Sequence, residues 1–153
     1  QDSMSGSYLG PSFDNKFICL HLRYPDYGDV DIKSINKLYD ESDINNLITK
    51  LCEQENIPKE NVFVATCNQG RILKTDLKYC KMLTKKSEYN ELESFIEQYI
   101  ATKSKIFMYT GGIHAKPDHT HLRSTWSSLV VDYRSYLLNK EKTSNIYLTN
   151  QFS

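Results

Sequence analysis

Short apolar runs alternate with longer amphipathic stretches along the chain. "KFICLHLRY" at 16–24 is a continuous apolar run closing on polar residues, as a strand buried on both faces does. From Ser42, a plausible cap, the pattern turns helical: Ile44, Leu47, Ile48 and Leu51 share one face, and Pro58 follows the end. "NVFVATC" at 61–67 predicts a second strand. "QGRILKTDLKYC" at 69–80 fits a short helix with Ile72, Leu73, Leu77 and Cys80 inward, and "CKMLT" at 80–84 a weak third strand.

The second half repeats the alternation. "SEYNELESFIEQYIATK" at 87–103 predicts a helix capped by Ser87, with Leu92, Phe95, Ile96, Tyr99 and Ile100 as its apolar stripe. "KIFMYTGG" at 105–112 predicts a strand ending in glycines, and a His- and Pro-bearing loop follows. "STWSSLVVDYRSYLL" at 124–138 predicts a helix with Trp126, Leu129, Val130, Tyr133 and Leu137 inward. "SNIYLTN" at 144–150 predicts a last strand. Residues 1–15 are small, polar and turn-rich and read as a leader or linker, which leaves 16–153 as one domain.

Strand–helix alternation of this kind predicts an α/β fold, a Rossmann-like parallel sheet with helices on both faces. Such sheets bind ligands beyond the carboxyl ends of their strands. His21, Arg23 and Asp26 come at the end of the first strand, Thr66, Cys67 and Asn68 at the second, Gly111 and Gly112 at the fourth, and Ser124 and Thr125 open the last long helix. These polar groups are expected on one rim. Free amides and hydroxyls at a helix start suit an anion, and an arginine across the rim could grip a phosphate with two parallel bonds. Trp126 could lie against a flat base or pack into the core. Neither a dinucleotide fingerprint nor a P-loop is present.

Composition narrows the classes. Nineteen basic residues balance nineteen acidic ones, so net charge gives no reason to expect nucleic acid as a partner. No apolar run approaches spanning length, so no membrane span is expected. Cys19, Cys52, Cys67 and Cys80 are widely spaced, which disfavours a zinc site. They could form two disulfides in an oxidising compartment, but Cys19 in an apolar run and Cys52 on a helix read equally well as buried thiols. His114, Asp118, His119 and His121 could ligate a metal, although a solvated loop is the favoured reading and no metal is expected.

Three segments also carry a resemblance. "HLRYPD" resembles the H-x-R-x-x-D segment of the GDP-fucose-dependent fucosyltransferases, especially the protein O-fucosyltransferase relatives. "VFVATC" looks like their V-A-T-D strand, with Cys67 in place of the aspartate. "STWSSLVVDYR" looks like their S-T/S-F-S…R helix start, with Trp126 in place of phenylalanine. They occur in the family's order within about residues 17–137. The resemblance implies an inverting, metal-independent glycosyltransferase of the two-domain GT-B type that uses no cofactor. This chain would be its C-terminal, nucleotide-sugar-binding half. It implies Arg23 as the catalytic group that stabilises the leaving GDP, with Ser124 and Thr125 on phosphate oxygens and His21, Asp26 and Trp126 shaping the pocket. It implies GDP-fucose as donor, a glycan or glycoprotein acceptor, and the lumen of the secretory pathway as location. An N-terminal domain or partner chain would supply the general base. The alternative is a non-catalytic Rossmann-type module that binds a nucleotide, a glycan or a protein.

Overall fold

Parallel strands pair well only when both faces are covered, so their sequences are apolar throughout rather than alternating. The protein follows this rule in a computed structural model that describes residues 16–22, 41–65, 80–82, 91–110, 125–141 and 144–148. Strand β1 (Ile18–His21), β2 (Val62–Ala65) and β4 (Ile106–Tyr109) are buried along their whole length. With β3 (Cys80–Met82) and β5 (Asn145–Tyr147) they form one parallel sheet in the order β3-β2-β1-β4-β5. β1 is central: Ile18 pairs with Val62 on one side and Ile106 on the other, and His21 pairs with Ala65 and Tyr109.

Strand order explains where the helices go. A crossover between parallel strands is right-handed almost without exception. Moving outward from β1 to β2 therefore puts a helix on one face, and moving the opposite way from β3 to β4 and β5 puts helices on the other. Helix α1 (Glu41–Glu55) accordingly packs Ile44, Ile48 and Cys52 against Ile18, Leu20, Val62, Val64 and Met108. Helices α2 (Glu91–Lys103) and α3 (Thr125–Asp132) cover the opposite face, where Ile100, Ala101 and Val130 meet Phe17, Cys19, Phe63 and Phe107. A π-helical turn, Tyr133–Leu137, extends α3, closed by the Leu138 amide donating to the Tyr133 carbonyl at 3.1 Å. The expected α/β fold, with a parallel sheet layered between helices, is what forms.

Several details differ from the sequence expectations. Helix α1 includes Glu41, so Ser42 lies inside its first turn rather than capping it. Cys80 opens β3 instead of closing an inward helix face; the remainder of the helix expected at 69–80, and Ser87, lie outside the described residues. On α2, Ile100 is buried and Ile96 partly so, but Phe95 and Tyr99 are exposed. On α3, Val130 is buried and Trp126 half-buried, while Leu129, Tyr133 and Leu137 are exposed. The cause is the same on both helices. Glu97 and Arg134, the kinds of residue that belong in water, occupy core-facing positions and are 1% and 0% exposed. The buried stripe is rotated away from the apolar one.

Arg134 is tolerated there because its guanidinium is saturated. Nη1 donates to the Ser104 carbonyl at 2.7 Å, the Ser104 hydroxyl at 2.9 Å and the Ala101 carbonyl at 3.2 Å. Nη2 donates to the Ser144 hydroxyl at 2.9 Å and its carbonyl at 3.2 Å, and Nε to Asn145 Oδ1 at 2.6 Å. One side chain thus satisfies carbonyls left open at the end of α2 and clamps the start of β5. A cation at a helix C-terminus is also favoured by the helix dipole. Burial pulls the guanidinium down to about 10, so it stays charged at neutral pH.

Candidate functional site

The carboxyl ends of β1, β4 and β5 carry His21, Tyr109 and Tyr147. These pair in register, His21 with Tyr109 and Tyr109 with Tyr147, and therefore project to the same face of the sheet. The Tyr109 and Tyr147 rings stack at 5.2 Å. The His21 ring stacks on Trp126 at 4.2 Å, with 25° between the planes. Trp126 is in the first turn of α3, and its Nε1 donates to Ser94 Oγ of α2 at 2.9 Å. Gln98 Nε2 donates to the Trp126 carbonyl at 3.3 Å. An aromatic shelf thus runs along the rim, held from above by both helices.

The shelf lies beside the point where the chain reverses direction across the sheet. The connection leaving β1 goes towards β2, and the one leaving β4 goes towards β5, so the two depart on opposite sides. A crevice at such a divergence is the usual ligand position in open parallel sheets. The Thr110 amide donates to the His21 carbonyl at 3.1 Å, and the Leu22 amide to the Ala65 carbonyl at 3.1 Å, which hold the strand ends in line. Burial pushes the Tyr109 phenol above its ordinary range, with smaller contributions from Tyr147 and Asp132, so it is a neutral hydrogen-bonding group. The Tyr147 hydroxyl is buried with no hydrogen-bond partner among the described residues.

Of the residues singled out from sequence, His21 and Trp126 are brought into contact. Thr125 is the first residue of α3 and is exposed. Arg23, Asp26 and Ser124 lie outside the described residues, as do Thr66, Cys67, Asn68, Gly111, Gly112 and the cluster of His114, Asp118, His119 and His121. The sequence offered Tyr109 only as one of many tyrosines that edge the core or could stack on a carbohydrate, and did not single out Tyr147. Their signal was positional: each is the last residue of its strand on the face that His21 occupies, but this becomes visible only once the register is known.

Cys19 and Cys52 are free, buried thiols on opposite faces of the sheet. Burial raises both thiols. Cys19 is raised the most, with Glu97 adding to the effect and Arg134 opposing it. Neither suits nucleophilic chemistry, which needs an accessible thiolate. Among the described residues, no helix is long and apolar enough to cross a membrane.

No family model matches the chain, and neither a curated protein nor a solved structure matches it.

Proposed function

We propose that the protein is a nucleotide-sugar-binding domain whose ligand lies at the carboxyl rim between β1 and β4. The observation that carries this reading is the stack of His21 on Trp126 at 4.2 Å. It joins the end of β1, where the "HLRYPD" segment begins, to the first turn of α3, which carries the "TW" of "STW", at the divergence point of a parallel sheet. Those are the two segments whose chemistry suits a diphosphate. Arg23, two residues beyond His21 in sequence, is the guanidinium that grips the diphosphate and stabilises the departing nucleotide. Ser124 and Thr125 add hydroxyls, and the start of α3 adds free amides. The order of the three motifs favours GDP-fucose as the sugar donor and an inverting, metal-independent fucosyl transfer to a glycan or glycoprotein. The general base then comes from a second domain in a GT-B arrangement.

A second reading, binding without catalysis, is favoured by Cys67, which stands where the resemblance has an aspartate. A thermal-shift titration with GDP, GMP, UDP and ADP tests the site itself. A ligand that binds only the native state at a hundred times its Kd adds about 2.7 kcal/mol of stability. Stabilisation selective for GDP supports the donor site, and no response to any nucleotide overturns both nucleotide readings. If GDP binds, fucosyl transfer in the presence of the second domain distinguishes them, and Arg23→Lys then tests the arginine. Loss of fucosyl transfer by the variant supports the enzyme, because an ammonium does not reproduce the planar fork. Transfer at the normal rate removes Arg23 from the catalytic role.

A further inference from the structure

Six large apolar side chains lie in water on the outer side of α2 and α3. Tyr136 is 82% and Leu137 72% exposed, and Phe95, Tyr99, Leu129 and Tyr133 are between 43% and 65% exposed. They form one patch, which follows from how the two helices are fastened. Trp126 bonds Ser94 and Gln98 near one end, and Arg134 bonds Ala101 and Ser104 near the other, so the helices run parallel, side by side. On α2, Ser94 and Gln98 mark the flank towards α3, and Phe95 and Tyr99 lie next to that flank on the solvent side. On α3, Trp126 marks the flank towards α2, and Leu129 and Tyr133 lie next to it. Phe95 and Tyr99 therefore line one bank of the groove and Leu129 and Tyr133 the other, with Tyr136 and Leu137 continuing along the π-helical turn that extends α3.

The patch is large for a surface that water is meant to cover. At about 200 Å² for each whole aromatic side chain, and somewhat less for each leucine, the exposed fractions amount to about 700 Å². A typical monomer's largest apolar patch is about 300–600 Å². A standard interface buries about 800 Å² per partner.

We propose that this face is a homodimer interface, with a second copy of the same chain laid across it by a two-fold axis. Three observations select a second copy over other partners. The area matches what each side of a stable dimer needs. The net charge is zero, so two copies approach without mutual repulsion and no strongly charged partner is called for. The rim carries both signs, with Lys103 over the Tyr99 ring at 5.3 Å on α2 and the exposed Asp132 on α3. A two-fold contact needs a patch that complements itself in this way. The interface uses the outer helix layer, so it does not rest on the nucleotide reading.

Sedimentation velocity across micromolar concentrations tests the interface. The wild-type chain is expected at twice the mass of one chain, with dissociation on dilution. Leu129→Glu and Tyr136→Glu, both at exposed positions, are expected to keep the far-UV circular dichroism spectrum and to weaken self-association by roughly thirtyfold or more, as for loss of a central anchor. Hydrogen exchange of the wild-type chain gives a readout that needs no variant: protection of 95–99 and 129–137 rises with concentration. A wild-type monomer at the highest concentration overturns the proposal. So does a dimer that both substitutions leave intact, or concentration-dependent protection confined to other segments.

Discussion

Trp126 faces two ways: its ring covers His21 at 4.2 Å, while its Nε1 bonds Ser94 Oγ at 2.9 Å. One side chain therefore ties the end of the central strand to both helices of the same layer. It is also the chain's single tryptophan, so its fluorescence reports on the rim alone.

Trp126→Phe keeps most of the ring and loses the bond to Ser94. At a fixed protein concentration, urea unfolding followed by circular dichroism should show a loss of about 1 kcal/mol, the net worth of one such bond. Trp126→Ala should cost about 3 kcal/mol by emptying the space over His21. Ser94→Ala alone should resemble Trp126→Phe, and the double variant should cost less than the sum, because both remove one interaction. Strict additivity would mean that the bond contributes nothing.

Arg134 is the larger structural commitment. Arg134→Met should destabilise by about 4 kcal/mol, because buried carbonyls at the end of α2 and the start of β5 lose their donor together. Arg134→Lys retains the charge, yet one ammonium cannot serve Ser104 and Asn145 at once, and it should cost about 2 kcal/mol. The urea midpoint is the measurement. A midpoint unchanged in Arg134→Met would show the network to be without energetic weight.

Alkaline pH should weaken the fold. The Cys19 and Cys52 thiols are raised above 9.0 and the Tyr109 phenol above 10.0. In each case the folded state holds its proton where the unfolded chain releases it. Their contribution is complete below the unfolded values and is lost as pH climbs towards the folded ones. The urea midpoint should therefore start to fall above pH 9.0, where the thiols dominate. Cys19→Ala should flatten the first part of that decline, whatever its effect at neutral pH. An unchanged slope would exclude Cys19 as its source.

Thiol labelling gives a simpler check of the same burial. Cys19 and Cys52 are 0% and 3% exposed. Peptide mapping after iodoacetamide treatment of the native protein should find both unmodified, and both should label in denaturant without prior reduction. Rapid native labelling of Cys19 would contradict its position between β1 and the α2/α3 layer.

Much of this architecture could be read directly from the residues. Runs such as "FICLHL" and "VFVA" are apolar without alternation, which only a doubly covered parallel strand requires. The strands near 18, 62, 80, 106 and 145 and the helices α1, α2 and α3 were predicted, because periodicity is a local property. The predicted face of α1 was also right: Ile44 and Ile48 are buried, with Leu47 and Leu51 partly so. The candidate site was legible as a list of residue types at strand ends, including His21 and Trp126, but not as a contact.

The orientation of α2 and α3 was decided elsewhere. Glu97 and Arg134 read as solvent-facing residues, and the burial of Arg134 becomes tolerable only through groups distant in sequence: Ser104, Ser144 and Asn145 surround the guanidinium from two other segments. With those positions taken, Phe95, Tyr99, Leu129 and Tyr133 turn outward. Strand order was likewise a tertiary outcome, and it alone places β1 against β4 and the His21 ring on Trp126. The sequence by itself determined what each segment would become, since that depends on neighbours a few residues away. Which faces and strand ends would meet was left to the folded chain, because buried polar groups and sheet register are satisfied only by partners that folding brings from afar.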